Sequence, residues 1–338
     1  MSPSARLDLT AMRLHYLYLF LLIAAAAGFL GGCEQQSDET VLTLAHNLDT
    51  GHTVHRAMVF MGERLDEYSE GQLQIAIYPG GQLGSERENL ELLQIGSLAM
   101  TKVSASPLEG FVPEMKVFSL PYIFADREHH LRVLDSEIGE RLLDSLQVAR
   151  LQGLGYYDAG SRSFYTSEKP VNSPADLHGM KIRVMKSQTS VRMVAELGGS
   201  PTPISLGEIY TALQQGVVDG AENNPPSFYR LRHYEAAKFY SLDEHTFVPD
   251  VLLMSKRIWD DLDEQQQAWL MNAVRESVEY QRELWLTETE ESLAAVAAEG
   301  VTISYPDKRP FREAVRAMKQ GFDGTVTGEI LRAIEEME

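Results

Sequence analysis

The chain has one cysteine, Cys33, in 338 residues, which excludes an intramolecular disulfide and any zinc site built from several thiolates. Basic residues are scarce: 30 Lys and Arg stand against 49 Asp and Glu, for a formal charge of −19. That field argues against nucleic acid or an anionic bilayer as the main partner. A small anion would need a few local cations to overcome it. The sequence also lacks a Walker loop, a G-x-G-x-x-G turn and a G-x-S-x-G elbow, so phosphate-cradling and serine-nucleophile chemistry have no support. Asp49-Thr50-Gly51 matches an aspartic-protease tripeptide, but that mechanism needs two such carboxylates sharing a proton, and there is no second copy. His52 with His55, and His129 with His130, do not supply the i, i+4 pair of a zinc protease; they read as surface or capping residues. Nothing points to an enzyme, a metal or a cofactor.

With 44% apolar and 23% charged residues, the chain has the composition of a soluble globular protein. Its N-terminus is set apart. Arg6 and Arg13 precede the apolar run Leu17 to Leu30, which ends at Gly31-Gly32-Cys33. A positive segment, a short apolar stretch and small residues describe a secretory signal over 1–32, and the run is short for a membrane span. Leu30-Gly31-Gly32-Cys33 resembles the bacterial lipobox, in which the cysteine becomes a lipidated first residue. A cleaved soluble form and an uncleaved anchor are the alternatives. Residues 33–40 read as a polar tether.

From residue 41 onward, strand and helix patterns alternate. Strands are expected at Val41–Ala45, Leu73–Tyr78, Met100–Ser104, Leu154–Asp158, Lys181–Val184 and Thr202–Ile204. Helices are expected at Thr53–Tyr68, Glu86–Ile95, Leu134–Leu146, Ser190–Leu197 and Leu206–Gln214, with an apolar segment at Val117–Phe124. Such alternation predicts an α/β architecture with largely parallel sheets. No Gly or Pro occurs from Asp263 to Glu299. Asp263 and Gln266 fit a capping box and Gly300 a stop. The implied helix of ~36 residues would be ~54 Å long, more than one small domain spans. Its apolar stripe, Leu270, Val274 and Val278, fades after Leu284, which disfavours a coiled coil. One helix lying across two lobes fits better.

Arg183 is the most informative single residue. On the strand Lys181–Val184 it alternates with Ile182 and Val184, and an arginine in that setting needs an anionic partner. A structural ion pair is one reading. A ligand carboxylate held by the planar fork of the guanidinium is the other.

Further motifs separate these readings. Gly179–Val184, Ser200-Pro201-Thr202-Pro203-Ile204, Glu208 to Gly220 (EIYTALQQGVVDG) and Glu222-Asn223 resemble the substrate-binding proteins of TRAP transporters. Tyr78 to Gly84 (YPGGQLG) and Leu120-Pro121-Tyr122 fit the same family in the same order. The resemblance covers Thr40–Glu338. It implies a two-domain periplasmic-binding-protein-like α/β fold with crossovers and a long helix spanning both domains. The division it suggests is 41–160 plus about 249–285 for domain I, and 161–248 plus about 286–338 for domain II. It implies a monomeric periplasmic receptor, not an enzyme, that delivers an organic acid to small and large membrane permease subunits. The family's recurrent carboxylate ligand falls on Arg183, its second arginine on Arg162, and its carboxylate-contacting asparagine on Asn223. Asn47, Glu86, Ser104 and Asp250 match positions that reach the rest of the ligand, and His52 near the first strand's end joins the candidates.

Two arginines suit one carboxylate, whereas Glu86, Ser104 and Asp250 at the far end suit hydroxyls and repel a second anion. One acid with several hydroxyls describes a sugar acid. The stretches Glu222 to Tyr229 and Asp243 to Thr246 also resemble family members implicated in hexuronate uptake, so glucuronate or galacturonate is expected. C4-dicarboxylates or other carboxylates, and a sensory role for the same binder, are the alternatives.

Overall fold

The computed structural model describes residues 39–338. The signal segment 1–32, Cys33 and the tether up to residue 38 lie outside the described residues.

The first sheet is nucleated by apolar residues on matching periods. β1 (Thr40–Ala45) buries Leu42 and Leu44, and the helix Thr53–Tyr68 covers them with Val54, Met58, Met61 and Leu65, all without exposure. Each such side chain contributes about 1.5–3 kcal/mol when fully buried. β1 pairs in parallel with β2 (Leu73–Tyr78) and β3 (Met100–Ser104), and β4 (Leu151–Tyr157) lies at the far edge. The second sheet is built from β5 (Ser161–Thr166), β6 (Lys181–Val184), β7 (Ser200–Pro203), β8 (Gly220–Asn223), β9 (Phe239–Phe247) and β11 (Thr302–Ser304). β10 (Asp250–Ser255) returns to the first sheet and inserts between β3 and β4.

The sheets are mixed, not largely parallel. All four antiparallel pairings, β10 with β3 and β4 and β5 with β8 and β9, involve a strand next to a crossover. The cause is topological. The chain leaves the first sheet through 158–160 and re-enters through 248–249, so β5 and β10 run against their neighbours. Ser161 opposite Phe247 and Tyr157 opposite Asp250 place these two connections side by side.

The long helix runs Glu264–Ala298, 35 residues, with the expected Asp263–Gln266 capping box. Its buried stripe does not fade; it turns polar. Leu270, Val274, Ser277, Gln281, Trp285, Glu288, Ser292 and Val296 are buried at steps of three or four. Gln281 exchanges two hydrogen bonds with the Asp158 backbone, accepting from its N–H at 2.9 Å and donating to its carbonyl at 2.8 Å. Glu288 accepts from Thr53 N–H at 3.0 Å and pairs with Arg230 at 2.6 Å. The helix thus holds residues before β2 and after β8 at once. Among the described residues no helix is long and apolar enough to cross a membrane.

One helix boundary needs correction. The helix expected at Leu134–Leu146 runs Glu137–Ser145, because the Ser136 hydroxyl caps it by accepting from Ile138 N–H, and Leu134 ends a separate helix, Arg127–Leu134. The terminal helix Val326–Glu335 buries Ile330, Leu331 and Ile334, and the Ile334 carbonyl meets His129 Nε2 at 3.0 Å, returning to the helices that flank the first sheet. Residues 40–338 form one compact unit.

Candidate functional site

A recess opens where the strands of the two sheets end. Parallel strands present their carboxyl ends to a shared crevice, and here β3 and β8 deliver Ser104 and Asn223 there, while the reversed strands β5 and β10 deliver Arg162 and Asp250 from their starts. Together with Arg183 and Glu86 these residues line one cavity. Asn47 lines its continuation, which shares Glu86 and Arg183. Seven of the eight candidate ligand residues therefore meet.

His52 does not join them. Its Nδ1 accepts from Val54 N–H as the N-cap of the helix Thr53–Tyr68, and its ring lies 6.0 Å from that of Trp285. Burial, with Lys102 nearby, drives its pKa well below the ordinary value. It is a buried neutral capping residue outside the recess lining.

The two arginines differ sharply. Arg162 is committed to protein: Nε pairs with the Glu222 carboxylate, Nη1 donates to Asn223 Oδ1 at 2.8 Å, and Nη2 donates to the Glu222 carbonyl at 2.7 Å. Burial opposes its charge, but Glu222 more than compensates and raises its pKa. Arg183 is as buried, at 3% exposure, yet it has no ion pair among the described residues. Its Nε donates to the Ile204 carbonyl at 2.8 Å, and its Nη1 is buried without a partner. Burial pushes its pKa down, with Glu222 as the main opposing influence. The structural ion pair is thus realised at Arg162 and not at Arg183.

Behind Arg162 sits a buried charge relay that sequence reasoning missed. The register of β9 slips between Arg162 and Phe164, so Leu242 to His245 bulge out opposite Ser163, a device that re-aims side chains beside a site. The bulge buries His245 with Nδ1 2.8 Å from Asp243 Oδ2 and Nε2 3.7 Å from Glu222 Oε2. The second separation is a charge contact, too long for a hydrogen bond. Burial opposes charge on His245, but Asp243 and Glu222 raise its pKa to about 9. Burial likewise opposes ionisation of Glu222, yet Arg162 and His245 hold it down at about 2. Asn223 Oδ1 is spent on Arg162 and Asn224 N–H at 2.9 Å, leaving its amide nitrogen for a ligand. Asn224, not Asn223, caps the following helix.

At the opposite wall, Glu86 Oε1 accepts from Ser104 N–H at 2.9 Å, and Ser104 Oγ donates to Asp250 Oδ1 at 3.2 Å. Asn47 Nδ2 donates to the Gly84 carbonyl at 2.8 Å, and its Oδ1 is buried without a partner. Lys102 is the residue that sequence reading overlooked. It is 2% exposed, with Nζ 2.9 Å from Asp250 Oδ1 and 3.8 Å from Glu86 Oε1. Its signal was the i, i+2 spacing from Ser104, which puts both on one face of β3.

The family model of the bacterial extracellular solute-binding proteins, family 7, matches residues 44–323. The chain belongs to this family. Among solved structures, a TRAP periplasmic solute-binding protein from Bradyrhizobium in complex with galacturonate is 42% identical, with a TM-score of 0.86 over 88% of this chain and 100% of that one. One from Pseudomonas putida F1 with bound D-glucuronate is 36% identical, with a TM-score of 0.85 over 88% and 97%. The C4-dicarboxylate-binding periplasmic protein of Rhodobacter capsulatus is 32% identical over 71% of this chain and 72% of its own length. The family-7 chain is a solute-binding protein of TRAP transport, not an enzyme, and its two-sheet fold with the long shared helix is that of these relatives.

Proposed function

We propose that this protein captures a hexuronate, glucuronate or galacturonate, and presents it to the small and large membrane subunits of a TRAP transporter for secondary active uptake. The observation that carries the reading is Arg183: a buried guanidinium with no carboxylate partner among the described residues, its Nη1 unpartnered there, in a cavity between two sheets. A desolvated cation of this kind is satisfied by a ligand carboxylate. Asn223 and the remaining donors of Arg162 support the same carboxylate. Glu86, Ser104, Asp250 and Asn47 take the ligand's hydroxyls. Relatives crystallised with galacturonate and D-glucuronate support this ligand class.

A dicarboxylate is favoured by one observation, the cation Lys102 at the far wall. That ammonium already serves Asp250 and lies near Glu86, so the wall carries two carboxylates for one ammonium and repels a second anionic end. We further assign the lobes to 41–160 plus about 249–285 and to 161–248 plus about 286–338. The chain is read as a monomeric receptor that works in the periplasm, held to a membrane through a lipid on Cys33. A thermal-shift screen of sugar acids and dicarboxylates tests the central claim. Ligand at 100 times Kd stabilises by ~2.7 kcal/mol, and a shift with succinate but with neither hexuronate would refute it.

A further inference from the structure

Resting on the hexuronate reading, we infer that Lys102 determines specificity at the end of the ligand remote from Arg183: with Asp250 and Glu86 it reads neutral hydroxyls there and rejects a second carboxylate.

Three elements converge on this cluster. β3 supplies Lys102 and Ser104 on one face, and the antiparallel register sets Asp250 opposite Ser104 and diagonal to Lys102. Glu86 enters from the first turn of the helix Glu86–Ile95. Among the described residues, Asp250 Oδ1 at 2.9 Å is the ion-pair oxygen within hydrogen-bond distance of the Lys102 ammonium; the Glu86 oxygen, at 3.8 Å, lies beyond it. An ammonium has three donors, so the remaining ones are not used by the described residues. The protein-bound oxygens are Asp250 Oδ1 and Glu86 Oε1. Their partners, Asp250 Oδ2 and Glu86 Oε2, have no protein hydrogen bond among the described residues, and both residues line the recess.

A hydroxyl is satisfied by one donor and one acceptor together, and this wall offers both. The ammonium gives to the hydroxyl oxygen, and a carboxylate takes its proton. A ligand carboxylate has no proton to give and would meet two negative groups for one positive one, which is rejection by an unfavourable contact as well as loss of a favourable one. Lys102 also favours the ionised form of Glu86. Burial raises the pKa of Glu86, and Lys102 is the main influence opposing it.

Calorimetric titration of wild type and Lys102→Met with D-glucuronate, its 2-, 3- and 4-deoxy analogues, and succinate tests the assignment, with thermal unfolding as the folding control. Wild type should weaken by about tenfold or more for at least one deoxy analogue, because a charged pair is left unsatisfied. Lys102→Met should weaken for glucuronate by a similar factor and flatten the difference between glucuronate and that analogue to within about threefold. A purely structural role for Lys102 would lower affinity for every ligand alike and leave the difference intact, overturning the inference. If Lys102→Met does not fold, the wild-type series still decides: glucuronate and all three deoxy analogues within about threefold of one another overturn it. Wild type that binds succinate tightly and neither hexuronate overturns the hexuronate reading and this inference together. Tight hexuronate binding that ignores deoxygenation overturns the inference alone.

Discussion

Gly160 and Trp285 are in contact where the chain first crosses between sheets. A Cβ on Gly160 would stand 2.9 Å from Trp285 Nε1, and the glycine holds φ +56. Its N–H donates to Asp158 Oδ1 at 2.8 Å, and Asp158 pairs with Arg127 at 2.6 Å. Gly160→Ala therefore meets both left-handed strain and a rigid indole. It should destabilise the protein by about 1–3 kcal/mol, read as a lower urea midpoint. An unchanged midpoint would mean that the indole moves aside freely.

The two arginines should separate affinity from stability. Arg183→Ala should cost about 2–5 kcal/mol of hexuronate binding, roughly 30- to 5000-fold, while leaving the unliganded protein as stable as wild type or more so, since an unpaired buried cation is removed. Arg162→Ala strands Glu222 and should cost about 3–5 kcal/mol of folding stability. Calorimetry and denaturant unfolding on the same two variants decide this. Affinity of Arg183→Ala within threefold of wild type would end the carboxylate assignment.

His245 gives the fold a pH signature. Its pKa is raised to about 9 by Asp243 and Glu222 against the opposing effect of burial, so its contribution is complete below about 6.5 and disappears as pH rises through 9. At 1.36 kcal/mol per unit this amounts to roughly 3 kcal/mol. Burial lowers His46, His130 and His233 to about 3; above about pH 7.5 they are neutral both folded and unfolded and add no slope. Wild type should lose stability between about pH 7.5 and 9.5, and His245→Gln should show a flatter profile. Parallel profiles would remove the relay from the account.

Glu86→Gln distinguishes ligand classes by sign. Hexuronate affinity should fall by about 1–3 kcal/mol as a charged acceptor is lost, whereas succinate affinity should hold or improve as repulsion is relieved. Titrations with glucuronate, galacturonate and succinate read the two directions.

Membrane attachment turns on Cys33. Metabolic labelling with a fatty acid should mark wild type and not Cys33→Ser. An unlabelled wild type would make Cys33 an ordinary signal-segment residue.

The residues explain what could be read from sequence and what could not. The helix Thr53–Tyr68 and strands such as Leu73–Tyr78 follow from apolar periods, and the long helix from its Asp263–Gln266 box. Arg183 was visible because a strand cation among aliphatics demands an explanation. Lys102 was not, since a strand lysine reads as an exposed one until Asp250, 148 positions away, is known to lie beside it. The Glu222–His245–Asp243 relay depends on a register slip in β9, which carries no local signature. The stripe read as fading after Leu284 because the partners that bury Gln281 and Glu288, namely Asp158, Thr53 and Arg230, belong to distant segments.

The placement of β10 between β3 and β4 sets a timetable for synthesis. β4 has no neighbour in its sheet until residues 250–255 have been made, so the N-terminal half of the chain cannot complete a sheet while it emerges. The pairing of Asp250 with Ser104 closes a loop of more than a hundred residues, and such closure slows folding. A fragment ending before Pro249 lacks β10, the inner strand that joins β3 to β4, and should not fold alone. The chain must stay open until most of it exists.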